Sequence, residues 1–391
     1  MAAAAILWIV CLAAALPVLM LALECWVGAF AAAPDDRVGN APPVIVLMPA
    51  HDEAAGIGRA ISAVLTQLRR EDELLVIADN CLDETAAIAA RLGARVLVRN
   101  DAALRGKGYA LEFARAQLAR GPKAPDPDRI VMILDADCVP APGAIHHAAA
   151  MAARHKAVVQ GAYLLEPPPG AGAMVRLSCF AFLVKNLVRQ LALRKLAGAA
   201  LLQGSGMAFP WPLFSRMDLQ ARSLVEDLEL GLNLLLGGQQ VLFDGTARFL
   251  SEAGSEKATV GQRRRWEHGT LLAMTRYAPR LMRAGLGGRP RLLIVALDQL
   301  VPPTALLIAL AGTLALLLAV VAGLAAPVVI LFAALLLLAA GLTGAWVRHG
   351  QALVPPAMLG ASLRYLAWKI PIALQFVTRR EQEWIRTERG P

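Results

Sequence analysis

Residues 304–347 contain no Asp, Glu, Lys or Arg. An uncharged run of that length is unsuited to the surface of a water-soluble domain. At about 20 residues per crossing, it can span a bilayer twice. Gly323–Pro327 is the natural break between the two crossings. Residues 4–30 form a second apolar run, with Glu24 the only charge in it. Small residues follow at Gly28–Ala33, as at a cleavage site. The basic segment of a leader is missing and the apolar run is long, so residues 1–32 read as a retained transmembrane anchor.

The charge pattern fits this reading. The formal net charge is +9, and much of it lies beside the apolar runs, from Arg263 to Arg291 and from Arg348 to Arg389. Basic residues next to membrane segments mark a cytoplasmic face. Nucleic acid is not the expected partner, because Lys and Arg form no aromatic-interleaved recognition pattern. The five cysteines contain no C-x-x-C pair, which points to a reducing compartment.

Residues 43–137 alternate short apolar runs with helical patterns. Strands are expected at Val44–Met48, Leu74–Ile77, Arg95–Val98 and Ile130–Leu134, with helices at Gly58–Leu68, Glu84–Leu92 and Gly108–Ala119. Continuous apolar strands joined by crossover helices imply an α/β domain with a mostly parallel sheet covered on both faces. Ligands bind off the carboxyl ends of such strands, where Asp79 and Asp135 lie. Further along, a strand is expected at Ala157–Tyr163, a long helix at Met174–Leu196 and a tight turn at Gln203–Gly206. A helix over Ala221–Leu236 and short strands at Val241–Phe243 and Ala247–Leu250 follow. The expected organisation is an anchor over 1–32, a cytoplasmic α/β domain over 43–258 and amphipathic, interfacial helices over 259–303. Two crossings over 304–347 and an interfacial helix with a basic tail over 348–391 complete it. In that last part Leu363–Phe376 reads as lying among lipid headgroups, with a kinked crossing at Pro371 as the rival.

The chemistry lies in dispersed motifs. Asp135-Ala136-Asp137 ends an apolar strand, and two carboxylates one residue apart can hold Mg²⁺ or Mn²⁺, which prefer oxygen ligands. The alternative is a solvated acidic pair opening a loop. Asp79 could accept a hydrogen bond from a nucleobase N–H, whereas Asp83 suits a cap or first-turn charge. Ser223-Leu224-Val225-Glu226 fits a capping box, which gives Glu226 a structural explanation. Asp227 needs no such explanation and is the expected general base, with Glu226 beside it in the catalytic pair. Gln262, Arg265 and Trp266 are spaced to share one helix face, offering an amide, a guanidinium and an indole. That face can grip a diphosphate and wall an acceptor, or it can rest on anionic lipid. Arg105-Gly106-Lys107-Gly108 is not a phosphate loop of the Walker type, yet Lys107 could contact a nucleotide.

In this order the motifs resemble the inverting family-2 glycosyltransferases of the membrane type, whose relatives include cellulose, hyaluronan and poly-N-acetylglucosamine synthases and ceramide glucosyltransferase. Pro49-Ala50-His51-Asp52-Glu53 is similar to the family's P-A-x-N-E opening, with Asp52 for Asn. Ala78 replaces the first of a usual Asp pair. The resemblance implies a GT-A fold and a donor site of Pro49, His51, Glu53, Asp79, Lys107, Asp135 and Asp137. It also implies a metal on Asp137 and Asp135, and catalysis by Asp227 with Glu226. The acceptor or diphosphate side would comprise Gly204, Ser205, Gln262, Arg265 and Trp266.

The expected activity is inverting transfer from a nucleotide-diphospho-sugar, usually UDP-linked, to a membrane lipid or lipid-linked acceptor at the cytoplasmic face of the inner membrane. The bilayer itself is then a partner. A processive exopolysaccharide synthase, with a growing glycan acceptor and an export partner, is the alternative. A membrane-anchored sugar-nucleotide-binding protein without transferase activity is the alternative of another class.

Overall fold

The computed structural model describes residues 1–31, 39–120, 126–219, 225–254 and 256–368, the side chains of residues 256–265 excepted. The first half of the chain runs α1 (Ala2–Phe30), β1 (Val44–Ala50), α2 (Ile57–Leu65), β2 (Glu73–Asp79), α3 (Thr85–Arg91), β3 (Arg95–Arg99), α4 (Lys107–Arg120), β4 (Ile130–Ile133), β5 (Cys138–Pro140), α5 (Ala144–His155) and β6 (Val158–Glu166). It continues with α6 (Ala173–Leu183), a π-helical turn (Val184–Val188), α7 (Arg189–Ala197), β7 (Met207–Pro210), α8 (Trp211–Phe214), α9 (Glu226–Leu236), β8 (Val241–Glu252), α10 (Glu256–Leu286), α11 (Arg291–Gln299), α12 (Thr304–Ala322) and α13 (Ala326–Ala345). These elements form two compact units, one holding the sheet and one gathering α1, α6, α7 and α10 to α13.

In the sheet unit the strand order is β3-β2-β1-β4-β7-β6-β8-β5. The strands β3, β2, β1 and β4 are parallel, as their apolar runs and crossover helices dictate. The sheet is mixed beyond β4, because β7 enters antiparallel to both β4 and β6. The two short strands expected near 241–250 form the single strand β8, which runs parallel to β6 with a register shift at Gly161/Ala162. Val44–Met48 and Leu75–Ala78 are buried throughout, so they face helices on both sides. The parallel strands align their carboxyl ends, which brings Asp79 and the loop after β4 to one edge of the sheet.

A polar staple secures the entry to β1. The fully buried Asp72 carboxylate accepts hydrogen bonds from Val44 N at 2.9 Å, Arg69 N at 2.8 Å, Arg69 Nε at 3.0 Å and His146 Nε2 at 2.8 Å. Arg69 also donates to the carbonyls of Ala41 and Pro42. Burial alone would raise the Asp72 pKa, but these donors outweigh it and hold the carboxyl well below the usual range.

In the helical unit α1 packs along α13. Among the described residues, three helices are long and apolar enough to cross a membrane: Ala2–Phe30, Thr304–Ala322 and Ala326–Gly350. Glu24, the charge inside the first apolar run, is buried against Arg189 Nε at 2.7 Å. Arg189 Nη2 reaches Asp298 Oδ1 at 2.7 Å, and Gln299 Nε2 donates to Asp298 Oδ2 at 2.8 Å. Buried charges persist when paired in this way, and the cluster ties α1 to α7 and α11. Of the stretch Leu363–Phe376, residues 363–368 are helical and 369–376 lie outside the described residues. Tyr365 packs with Met174, Leu177 and Val354.

Candidate active site

The loop after β4 carries Asp135 and Asp137, both partly buried. Backbone contacts hold it against the Gln203–Gly206 turn. Asp135 N donates to Ser205 Oγ at 3.1 Å, and Gly206 N donates to Ile133 O at 3.0 Å. Gln160, wholly buried on β6, fixes the turn from the other side: its Nε2 donates to Ser205 O at 2.8 Å and its Oε1 accepts from Gln203 N at 2.8 Å. Sequence reasoning passed over Gln160. The available signal was an amide inside the apolar run Val158-Val159-Gln160-Gly161-Ala162, where a buried polar side chain must have partners.

Lys107 is the first residue of α4, and its ammonium is bonded to the Asp135 carboxylate and donates to Gly204 O at 2.6 Å. Asp227, near the start of α9, reaches the same turn. A Cβ at Gly204 would lie 3.1 Å from Asp227 Oδ2, and Gly204 has φ +92°, so an L side chain here would be strained in its backbone and would crowd Asp227. The Glu226 carboxyl lies beside Gly108, with Oε2 3.4 Å from where a Cβ at that glycine would sit. A Cβ at Gly108 would sit 2.1 Å from Leu219 O, so the start of α4 lies directly on the segment that leads toward α9. The structure therefore brings Lys107, Asp135, Gly204, Ser205, Glu226 and Asp227 together, with Asp137 in the same loop as Asp135. The expected capping partner Ser223 lies outside the described residues, and Val225 precedes the first turn of α9.

Burial drives the Glu226 carboxyl up to about 7. Lys107 and the Gly108 N–H pull it down, while Asp227 and Asp135 push it up. A carboxyl raised in the folded state contributes stability that is complete below its ordinary value of 4.5 and disappears as pH rises through about 7. Glu226→Gln cannot titrate. The stability of the wild type relative to Glu226→Gln is therefore expected to fall between about pH 5 and about pH 8. Urea denaturation of both proteins across that range measures it, and a constant difference would refute the assignment.

A second cluster surrounds the end of β2. Asp79 Oδ1 accepts from Arg99 Nη1 at 2.5 Å, a buried pair across β2 and β3, and from Asn80 Nδ2 at 3.0 Å. His51 Nδ1 lies 2.7 Å from Asp79 O and donates to it. Pro49 is paired with Ile77 in the sheet. Asp52 and Asn80 both adopt φ 52°, and Asp52 Oδ1 accepts from Leu82 N at 2.6 Å. Glu53 N donates to Thr85 Oγ1 at 2.8 Å. Asp83 accepts from Thr85 N and from Ala54 N, each at 2.9 Å, as a helix-start residue does. Asp52, Cys81 and Asp83 place ligand-type atoms within 4.8 Å of one another, but the two carboxylates are engaged by backbone donors and act as loop staples. Arg99 is the other residue that sequence reasoning missed. Its position opposite Asp79 follows from strand register alone.

Trp266 lies on α10 in the helical unit, its ring centroid 5.7 Å from that of Phe182. The side chains of Gln262 and Arg265 lie outside the described residues.

The family model described as "Glycosyltransferase like family 2" matches residues 42–269. Comparison with curated proteins finds no match. Among solved structures, the mannosyltransferase PcManGT from Pyrobaculum calidifontis, in complex with GDP-Man and Mn²⁺, is 19% identical with a TM-score of 0.59, covering 96% of this chain and 99% of its own. Glucosyl-3-phosphoglycerate synthase from Mycobacterium tuberculosis is 22% identical with a TM-score of 0.37, covering 57% of this chain and 76% of its own. TarS from S. aureus, residues 1–349, is 14% identical with a TM-score of 0.42, covering 88% of this chain and 93% of its own. Only the first is similar enough to speak to the fold, which is GT-A.

Proposed function

Because this chain belongs to glycosyltransferase family 2, we propose that it transfers one sugar, with inversion, from a nucleotide-diphospho-sugar to a lipid or lipid-linked acceptor at the cytoplasmic face of the inner membrane. The observation that carries this reading is the convergence of Asp135 and Asp227 on the Gly204 turn through Lys107. Asp227 takes the proton of an acceptor hydroxyl as its oxygen attacks the anomeric carbon. The bond from that carbon to the diphosphate breaks, and the diphosphate leaves with the electron pair. Asp79, oriented by Arg99, and the neighbouring Pro49, His51 and Glu53 serve the nucleoside end of the donor.

Asp137 and Asp135 fit a divalent cation. They offer hard oxygen donors one residue apart, in the loop that follows β4. Mg²⁺ or Mn²⁺ held there supplies charge neutralisation for the departing diphosphate. Gln262, Arg265 and Trp266 are assigned to the diphosphate and acceptor side.

The helices apolar enough to cross a membrane favour a lipid acceptor, whose headgroup can reach the protein while its tail stays in the bilayer. Purified protein given UDP- and GDP-linked sugars with a membrane lipid extract should yield a lipid carrying one added sugar by mass spectrometry, and excess EDTA should stop the reaction. A ladder of long glycans would instead establish the polysaccharide-synthase reading. Donor binding without product would establish a binding protein.

A further inference from the structure

We infer that Lys107 is the resident counter-cation of the acidic pocket, holding Asp135 at the Gly204 turn when no divalent ion is bound and yielding Asp135 when one arrives. This rests on the reading that Asp135 and Asp137 hold the metal. The Lys107 ammonium bonds Asp135 and Gly204 O, and its side chain is only 22% exposed. Asp135, Asp227 and Glu226 all act on it electrostatically. Carboxylates crowded away from water repel one another unless a cation is among them. Lys107 supplies that cation from within the chain.

Gly108, next to Lys107, is packed closely: a Cβ there would lie 2.1 Å from Leu219 O. An exchange of Asp135 between lysine and metal is carried by the flexible four-carbon stem of Lys107. An ammonium and a divalent ion on one carboxylate repel each other, so binding of the ion displaces the lysine. The released ammonium, with its three donors, becomes a partner for an anionic diphosphate. Lys107 is thus a positioning residue for Asp135 before it is a donor contact.

Amine footprinting of the full-length wild type in detergent tests this without any substitution. Acetylation of Lys107, normalised to the exposed Lys156 and read by mass spectrometry, should rise several-fold when Mn²⁺ is added, and should not rise in Asp137→Ala. Mn²⁺ titration followed by electron paramagnetic resonance, with no donor present, should show Lys107→Met binding the ion roughly two- to fivefold more tightly, the weight of a partly exposed ion pair. Lys107→Arg should stay near the wild type. If wild type binds Mn²⁺ while Lys107 labelling is unchanged or falls, or if Lys107→Met binds more weakly, the counter-cation role is overturned and the metal reading survives. If wild type binds no Mn²⁺, the metal reading fails and this inference fails with it.

Discussion

Asp227→Asn is expected to retain nucleotide-sugar binding and to lose about a hundredfold or more of its transfer rate, the usual contribution of a positioned general base. The change is nearly isosteric. It removes the negative charge and with it the ability to accept a proton, while the size and reach of the side chain toward Gly204 are kept. Glu226→Gln should cost much less, because an amide can keep the place of the carboxyl beside Gly108. Single-turnover transfer measured beside calorimetric donor binding separates the two effects. An active Asp227→Asn paired with a dead Glu226→Gln would reverse the assignment of the base.

Asp72→Ala is expected to destabilise the sheet unit by about 1–3 kcal/mol, the usual cost of leaving buried hydrogen-bonding groups without their partner. The substitution strands Val44 N, the Arg69 guanidinium and His146 around a cavity. The depressed pKa of Asp72 means that its contribution is present above the ordinary carboxylate value of 3.8 and is lost as pH falls below that value toward the depressed one. Urea denaturation of wild type and Asp72→Ala at neutral pH gives the difference. A loss under about 1 kcal/mol, typical of an ordinary surface change, would refute the staple. The wild type should also approach the variant as pH is lowered.

Much of this protein was open to reading from local pattern. Val44–Met48, Leu74–Ile77 and Ile130–Leu134 are continuous apolar runs, and burial on both faces is the only arrangement that satisfies such strands. The charge-free run 304–347 likewise announced two long apolar helices. Asp135 and Asp137 were identifiable as candidates because strand ends in such sheets face ligands. Other features could not be anticipated in this way. The antiparallel entry of β7 depends on pairing with two strands distant in sequence. The single β8 was masked by Gly245 and Thr246, which read locally as a break.

Sequence alone determined the parallel strands β1 to β4, the helices between them, the strand-end carboxylates and the apolar helices, because propensity and hydrophobic period act over a few residues; α5 (Ala144–His155) and the short strands β5 and β7 carried no such signal. Tertiary structure alone decided which charges meet. Arg99 faces Asp79 through strand register, and Gln160 braces the Gly204 turn across the sheet. Lys107 closes on Asp135 across 28 positions and on Gly204 across 97. Glu24 finds Arg189 across 165. These pairs are selected by the desolvation cost of buried charge, which takes effect only once distant segments have packed and water has left.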